Sequence, residues 1–324
     1  MDMHEVAREL LLAIRGHRSQ TAFSRRLGYR SNVAYAWEAG RRWPTGAETF
    51  RACHRTGIDV RGALVTFLGR EPGWLDDRDP WSPDTVALLL DDLRGNTSVT
   101  ELAQRSGLGR SRVSRWLGGH TEPRLPDLLR LVEAASARAV DLVAAFVDPM
   151  KLPSIAGVWE RLEARRQGAG RFPWTQAVLR ALELDAYLAL PAHVPGWISQ
   201  NLGISREEED RCIEFLVQTG QVVEDGPCLR GDVMAVDTRR SPEVGRRLKS
   251  HWAREAARRV EEGHPGQFSY NVFTVSAADF DRIREAHLAY FHALRAIVAS
   301  SEPGEVVAVA NVQLFALAEG AAEG

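Results

Sequence analysis

The most specific chemistry in this sequence sits in one short stretch, Arg110, Ser111, Arg112, Ser114 and Arg115. A guanidinium can donate paired hydrogen bonds to a guanine edge, and serine hydroxyls can bond base edges or phosphate oxygens. A second stretch offers related chemistry through Gln20, Arg30, Ser31, Asn32 and Tyr35, followed by Arg41 and Arg42, which suit phosphates. Between residues 15 and 55 the basic side chains are Arg15, Arg18, Arg25, Arg26, Arg30, Arg41, Arg42, Arg51 and Arg55, opposed only by Glu38 and Glu48. The whole chain carries a formal net charge of −2, so its positive field is local, as a polyanion would require.

Other chemistries leave no comparable signal. Cys53, Cys212 and Cys228 are far apart with no Cys-x-x-Cys pair, which points to buried, unreactive thiols rather than a zinc site or disulfides. The histidines form no His-Glu-x-x-His pattern, and there is neither a phosphate-binding loop nor a Gly-x-Ser-x-Gly elbow. The expectation is a protein that is not an enzyme and needs no cofactor and no metal. Lacking an apolar run of about 18 residues, and with an N-terminus unlike a signal peptide, the chain is expected to be cytoplasmic and not membrane-bound.

The elements that must position these residues are repeated. Residues 10–68 align without a gap on 89–147, with identities that include Arg15/Arg94, Gly16/Gly95, Ser19/Ser98, Gly28/Gly107, Trp37/Trp116, Gly40/Gly119, Pro44/Pro123 and Phe67/Phe146. In the second copy Thr100 can cap a short helix, Gly107 breaks it, and a second helix, RSRVSRWL, runs to Gly118 and Gly119. Val113 and Trp116, three apart, turn inward and leave the arginines and serines outside. The first copy follows the same plan with Ala34 and Trp37 inward. Two short helices joined by a tight glycine turn make a helix-turn-helix, whose second helix can enter the major groove. Two such units in one chain could cover adjacent stretches of groove.

Both copies resemble the lambda-repressor/Cro type of helix-turn-helix domain, over residues 5–70 and 84–148. In the first copy the resemblance lies in Gln20, Phe23, Ser24, Gly28, Trp37, Glu38, Gly40 and Pro44. In the second it lies in Leu102, Ala103, Gly107, Arg110, Ser111, Ser114, Arg115, Trp116, Gly119 and Pro123. The second copy departs from the pattern at Val99 and Leu117, the first at Tyr29, Ala34 and Ala36. The resemblance implies double-stranded DNA as the partner.

In the second half, WTQAVLRALELDAYLAL, WISQNLG and a segment opened by Ser205, with Glu208 three residues on as in a capping box, read as helices. QVVEDGPCLR reads as a hairpin, completing a winged helix. Glu207, Glu208, Glu209 and Asp210 would repel phosphates, so this unit is expected to be structural or dimer-forming. A long helix over 241–263 follows, then a strand at 268–276, a helix opened by Ser276 or Asp279, and an apolar strand at 305–317. Residues 174–317 also resemble a domain of unknown function found behind helix-turn-helix segments in bacterial regulators. The resemblance rests on Trp174, on ISQNLGISREEEDRCIEFLVQTGQV, on His251 and Trp252, and on FTVSAADFDRI and NVQLFAL.

The expected fold class is mainly α, with tandem helix-turn-helix bundles, a winged helix and a small C-terminal α/β domain. The expected boundaries are 1–70 and 84–148 for the two helix-turn-helix domains, 71–83 and 149–172 for linkers, 173–237 for the winged helix and 238–324 for the last domain. The function expected is a sequence-specific transcription regulator whose C-terminal half forms a homodimer or senses an effector. The alternative is a protein-interaction regulator whose helix-turn-helix units dock a protein partner.

Overall fold

The computed structural model describes residues 1–231, 241–299 and 301–317. It is mainly helical, and its one small sheet among these residues has two strands. The chain divides into two compact units, Met1–Glu163 and Ala164–Gly324.

The first unit contains both repeat copies. The first copy supplies α1 (Met3–Arg15), α2 (Gln20–Arg26), α3 (Val33–Glu38), α4 (Gly46–Thr56) and α5 (Val60–Leu68). The second supplies α6 (Pro83–Arg94), α7 (Val99–Ser106), α8 (Arg110–Leu117), α9 (Leu125–Ser136) and α10 (Ala139–Phe146). Each element thus recurs in order, and matched residues do matched work. Ser19 and Ser98 both accept a bond from a backbone N–H of the helix they open, so Ser98 caps α7 in place of the expected Thr100. The hydroxyl one residue before the helix meets the orphan N–H groups, whereas Thr100 already lies inside the first turn.

The copies share one hydrophobic core, and the expected boundaries between 70 and 84 fall inside it. Helix α1 packs on α9 as well as on α4, while α6 packs on α4 as well as on α9. Helices α5 and α10 pack on each other, and the Phe50 and Phe146 rings stack with centroids 5.2 Å apart. The buried Arg138 lies over the Phe67 ring and donates to the Phe67 carbonyl. The segment 71–83, expected as a linker, is packed: Leu75 is fully buried, Trp74 Nε1 donates to Asp92 (2.9 Å), and Trp81 stacks on His54 at 3.8 Å. Its prolines and aspartates shape a fixed crossing instead of a free tether.

Residues 149–172, expected as a linker with one short helix, carry a 3-10 turn (Pro149–Lys151) and the 19-residue α11 (Pro153–Arg171). Ile155, Val158, Trp159 and Leu162, spaced three and four apart, join the core of the first unit and hold the helix there. Further along, a β-carbon on Gly168 would lie 1.6 Å from the Phe215 ring. This glycine permits a close approach inside a helix; it does not end one.

The second unit places α12 (Thr175–Ala181), α13 (Asp185–Leu188), α14 (Trp197–Leu202) and α15 (Arg206–Gln218) ahead of a hairpin of β1 (Val222–Asp225) and β2 (Cys228–Gly231). The strands are antiparallel, with Val222 opposite Gly231 and Asp225 opposite Cys228. Helices α12, α14 and α15 pack on one another around Val178, Leu182, Ile198, Cys212 and Leu216. Ser205 caps α15 as expected, but Glu208 turns to Arg211, so no capping box closes there; the box forms at Thr45 and Glu48. Glu209 is not on the outer face expected of it: it is fully buried and accepts from the backbone N–H groups of Gly196 and Ser199, at the start of α14.

Helix α16 (Pro242–Glu261) matches the long helix expected, and α17 (Ala277–Ala299) is opened by Ser276, which accepts from the Asp279 N–H. The strands expected at 268–276 and 305–317 do not form. Strand preference reports fit to a half-buried pleated surface with a partner alongside. These runs have no ladder here, and Tyr270 (94% exposed), Val306 (79%) and Leu317 (82%) face outward. The expected boundary at 237/238 lies outside the described residues.

Candidate nucleic-acid interface

The turn between α7 and α8 is built on Gly107, whose φ of +67° is the left-handed conformation that glycine adopts without strain. Leu102 and Ala103 of α7, with Val113 and Trp116 of α8, are buried and fix the angle between the two helices. That burial leaves Arg110, Ser111, Arg112, Ser114 and Arg115 exposed, as the spacing predicts. None of the three arginines is ion-paired among the described residues, and the Arg112 guanidinium rests 5.8 Å from the Trp116 ring centroid. The face is an array of free donors on a rigid helix.

The corresponding turn in the first copy uses Gly28, with φ of +93°. Phe23, Ala34 and Trp37 are buried, and Arg30, Ser31, Asn32, Tyr35, Arg41 and Arg42 are exposed. Four of the candidate residues of this copy are already engaged. Asn32 caps α3 by accepting from the Tyr35 N–H at 3.3 Å. Arg41 lies over the Tyr35 ring, 5.2 Å from its centroid. Gln20 is half-buried; its amide donates to Glu38 Oε2 (2.6 Å), while Arg15 Nε donates to Glu38 Oε1 (2.6 Å). Glu38 therefore holds α1, α2 and α3 together, with Gln20 and Arg15 as its donors.

The structure brings the two sets together in one unit but on separate helices. Sequence reasoning missed the seam between the copies. The Gly46 N–H donates to the Pro123 carbonyl (3.1 Å), the Leu125 N–H donates to the Pro44 carbonyl (2.9 Å), and Thr45 faces Arg124 across an antiparallel bridge. A β-carbon on Gly46 would lie 2.9 Å from Val86, so glycine allows this approach. Arg124 also donates to the Trp43 carbonyl, and Glu122 accepts from the Ala47 N–H. The matched prolines of the repeat marked these positions as equivalent without showing that they pair.

Burial pushes the thiols of Cys53 and Cys212 up, the latter to about 12, while Cys228 is only half-buried. Trp174 meets His251 and Trp252 edge-on, at 5.5 and 5.0 Å between centroids, so three of the residues behind the C-terminal resemblance form one cluster. Among the described residues no group of side chains could hold a metal ion, and no helix is long and apolar enough to cross a membrane.

Residues 92–135, from the end of α6 through most of α9, match the helix-turn-helix family model. Residues 167–317 match the model of a domain of unknown function, DUF4423. No curated protein and no solved structure matches the chain. Together, the two family matches fit a DNA-binding helix-turn-helix regulator of the lambda-repressor/Cro type that carries a C-terminal domain of unknown function.

Proposed function

We propose that this protein is a sequence-specific, double-stranded DNA-binding transcription regulator of the cytoplasm. The observation that carries the reading is the exposed, unpaired set Arg110, Arg112 and Arg115 on α8, held outward by buried Val113 and Trp116. These arginines, with Ser111 and Ser114, contact base edges. Arg30, Ser31, Asn32 and Tyr35 contact DNA from the first copy, and Arg41 and Arg42 bind phosphates. Gln20 touches DNA beside them while its amide donates to Glu38.

In this reading the C-terminal half is a winged helix followed by a dimerising or signal-sensing segment. The order α12, α14, α15 and hairpin supports the former, and the outward apolar side chains of 268–276 and 305–317 support the latter. Its acidic helix α15 does not read DNA.

The test is binding of the full chain to a randomised duplex pool, followed by titration of the selected sequence at several salt concentrations. The expected result is enrichment of a defined sequence, with log affinity falling linearly against log salt as counterions are released. No enrichment, or affinity indifferent to salt, overturns the reading. Light scattering of the full chain tests the dimer, which a monomeric mass at high concentration excludes.

A further inference from the structure

The seam between the repeat copies is symmetric in a specific way. Pro44, Thr45 and Gly46 are the repeat equivalents of Pro123, Arg124 and Leu125. The bond from Gly46 N–H to Pro123 C=O has as its mate the bond from Leu125 N–H to Pro44 C=O, with the two copies exchanged. The same exchange turns the α1–α9 contact into the α6–α4 contact and maps the α5–α10 contact onto itself. These are the relations of an isologous two-fold interface, here inside one chain.

From this pseudo-dyad we infer that one chain reads a two-part operator, with two inverted half-sites of unequal sequence centred one helical turn apart. The inference rests on the DNA-binding reading above and adds its geometry. A two-fold rotation leaves position along its axis unchanged, so α3 and α8 stand on the same side of the seam. The Arg42 N–H bonds back to the Ala36 carbonyl and the Thr121 N–H to the Arg115 carbonyl, which keeps both following loops folded against their helices. Three residues of chain then lead to Thr45 and Arg124, a reach of about 11 Å each, so Ala36 and Arg115 lie no more than roughly 40 Å apart. Half-sites one turn apart need about 34–36 Å between recognition helices, and two turns would need about 70 Å. The reach excludes the two-turn spacing and admits the one-turn spacing. The half-sites must also differ, because α8 presents three arginines where α3 presents Tyr35 and no arginine. Guanine recognition belongs to the α8 side.

The test uses the full chain and the duplex selected above. The expected site has two inverted elements with centres about 10 base pairs apart, the guanine-rich one lost when Arg112→Ala is used for selection. Native mass spectrometry with the duplex, trimmed to that site, in excess should give one duplex for every chain, whether or not the chains dimerise through their C-terminal halves. Inserting five base pairs between the elements rotates one half-site to the far face of the DNA and should weaken binding at least ten-fold. Enrichment of a single uninterrupted element, two chains sharing one duplex even with duplex in excess, or indifference to the insertion overturns the inference while leaving the DNA-binding reading standing. Failure to enrich any sequence overturns both.

Discussion

Helices α3 and α8 have the same scaffold and opposite surfaces. Each follows a glycine in the left-handed conformation, each buries a tryptophan at the same repeat position, and each belongs to a helix pair opened by a capping serine. Yet α8 exposes three unpaired arginines, whereas α3 ends in Glu38, which is bound by Gln20 and Arg15. The second copy has Leu117 in place of that glutamate and Val99 in place of that glutamine. One copy has invested its polar groups in internal cohesion and the other has left them outward. A duplicated fold keeps its packing residues because both cores need them, while surface residues are free to separate.

The comparison breaks most readily at the tryptophans. Trp37→Ala and Trp116→Ala should each destabilise the first unit by about 3–5 kcal/mol, read as a fall in the denaturation midpoint. Similar losses in both are expected, since both rings lie in the shared core. A loss confined to one copy would mean that the copies unfold separately. A smaller effect is expected on the DNA-binding face: Arg112→Ala should cost about 1–3 kcal/mol of affinity for the selected duplex, without a change in melting temperature. Tyr35→Ala should cost less than Arg112→Ala, and a larger cost would reverse the assignment of the dominant half.

Caps sharpen the comparison from the side of likeness. Ser19→Ala and Ser98→Ala should each lose about 1 kcal/mol of stability, because each removes the acceptor for an N–H at the start of its helix. The mildest effect concerns pH and the second unit. Burial holds the His251 and His193 imidazoles below the ordinary value of 6.5; around His251 stand Glu255, Arg254 and Glu208, and around His193 stand Glu209, Arg206 and Asp210. The unfolded chain therefore takes up protons on these two imidazoles more readily near pH 6.5 than the folded chain does. Stability is fully present above pH 6.5 and declines as the pH falls below it. Melting at a series of pH values should show the second unit losing stability as the pH falls below 6.5, and His251→Phe should flatten the dependence.

Much of this was legible in the sequence because local rules and the repeat agreed. The glycine turns, the inward tryptophans and the outward arginines follow from helical spacing alone, and the structure places them accordingly. The burial of Glu209 was not legible, since its role depends on a helix start ten and more residues away that only the fold brings close. Gly168 fell within the expected linker because a sequence does not reveal Phe215 above it. The runs at 268–276 and 305–317 have the composition of strands, but composition cannot supply the neighbouring strand that a ladder requires. The seam at Thr45 and Arg124 was hidden for a related reason: the repeat showed two equivalent copies and said nothing of how they meet.

That seam also sets how the paired state responds to protein level. Two separate chains must find each other, so the paired fraction of a dilute dimer rises with concentration and collapses when the protein is scarce. Copies joined by the crossing at residues 71–83 meet at an effective concentration fixed by the chain, and pairing is complete as soon as the unit folds. The amount of paired protein is then proportional to the amount synthesised, down to a single molecule in a cell. Halving synthesis halves the paired form, where a dissociating dimer would lose closer to three quarters.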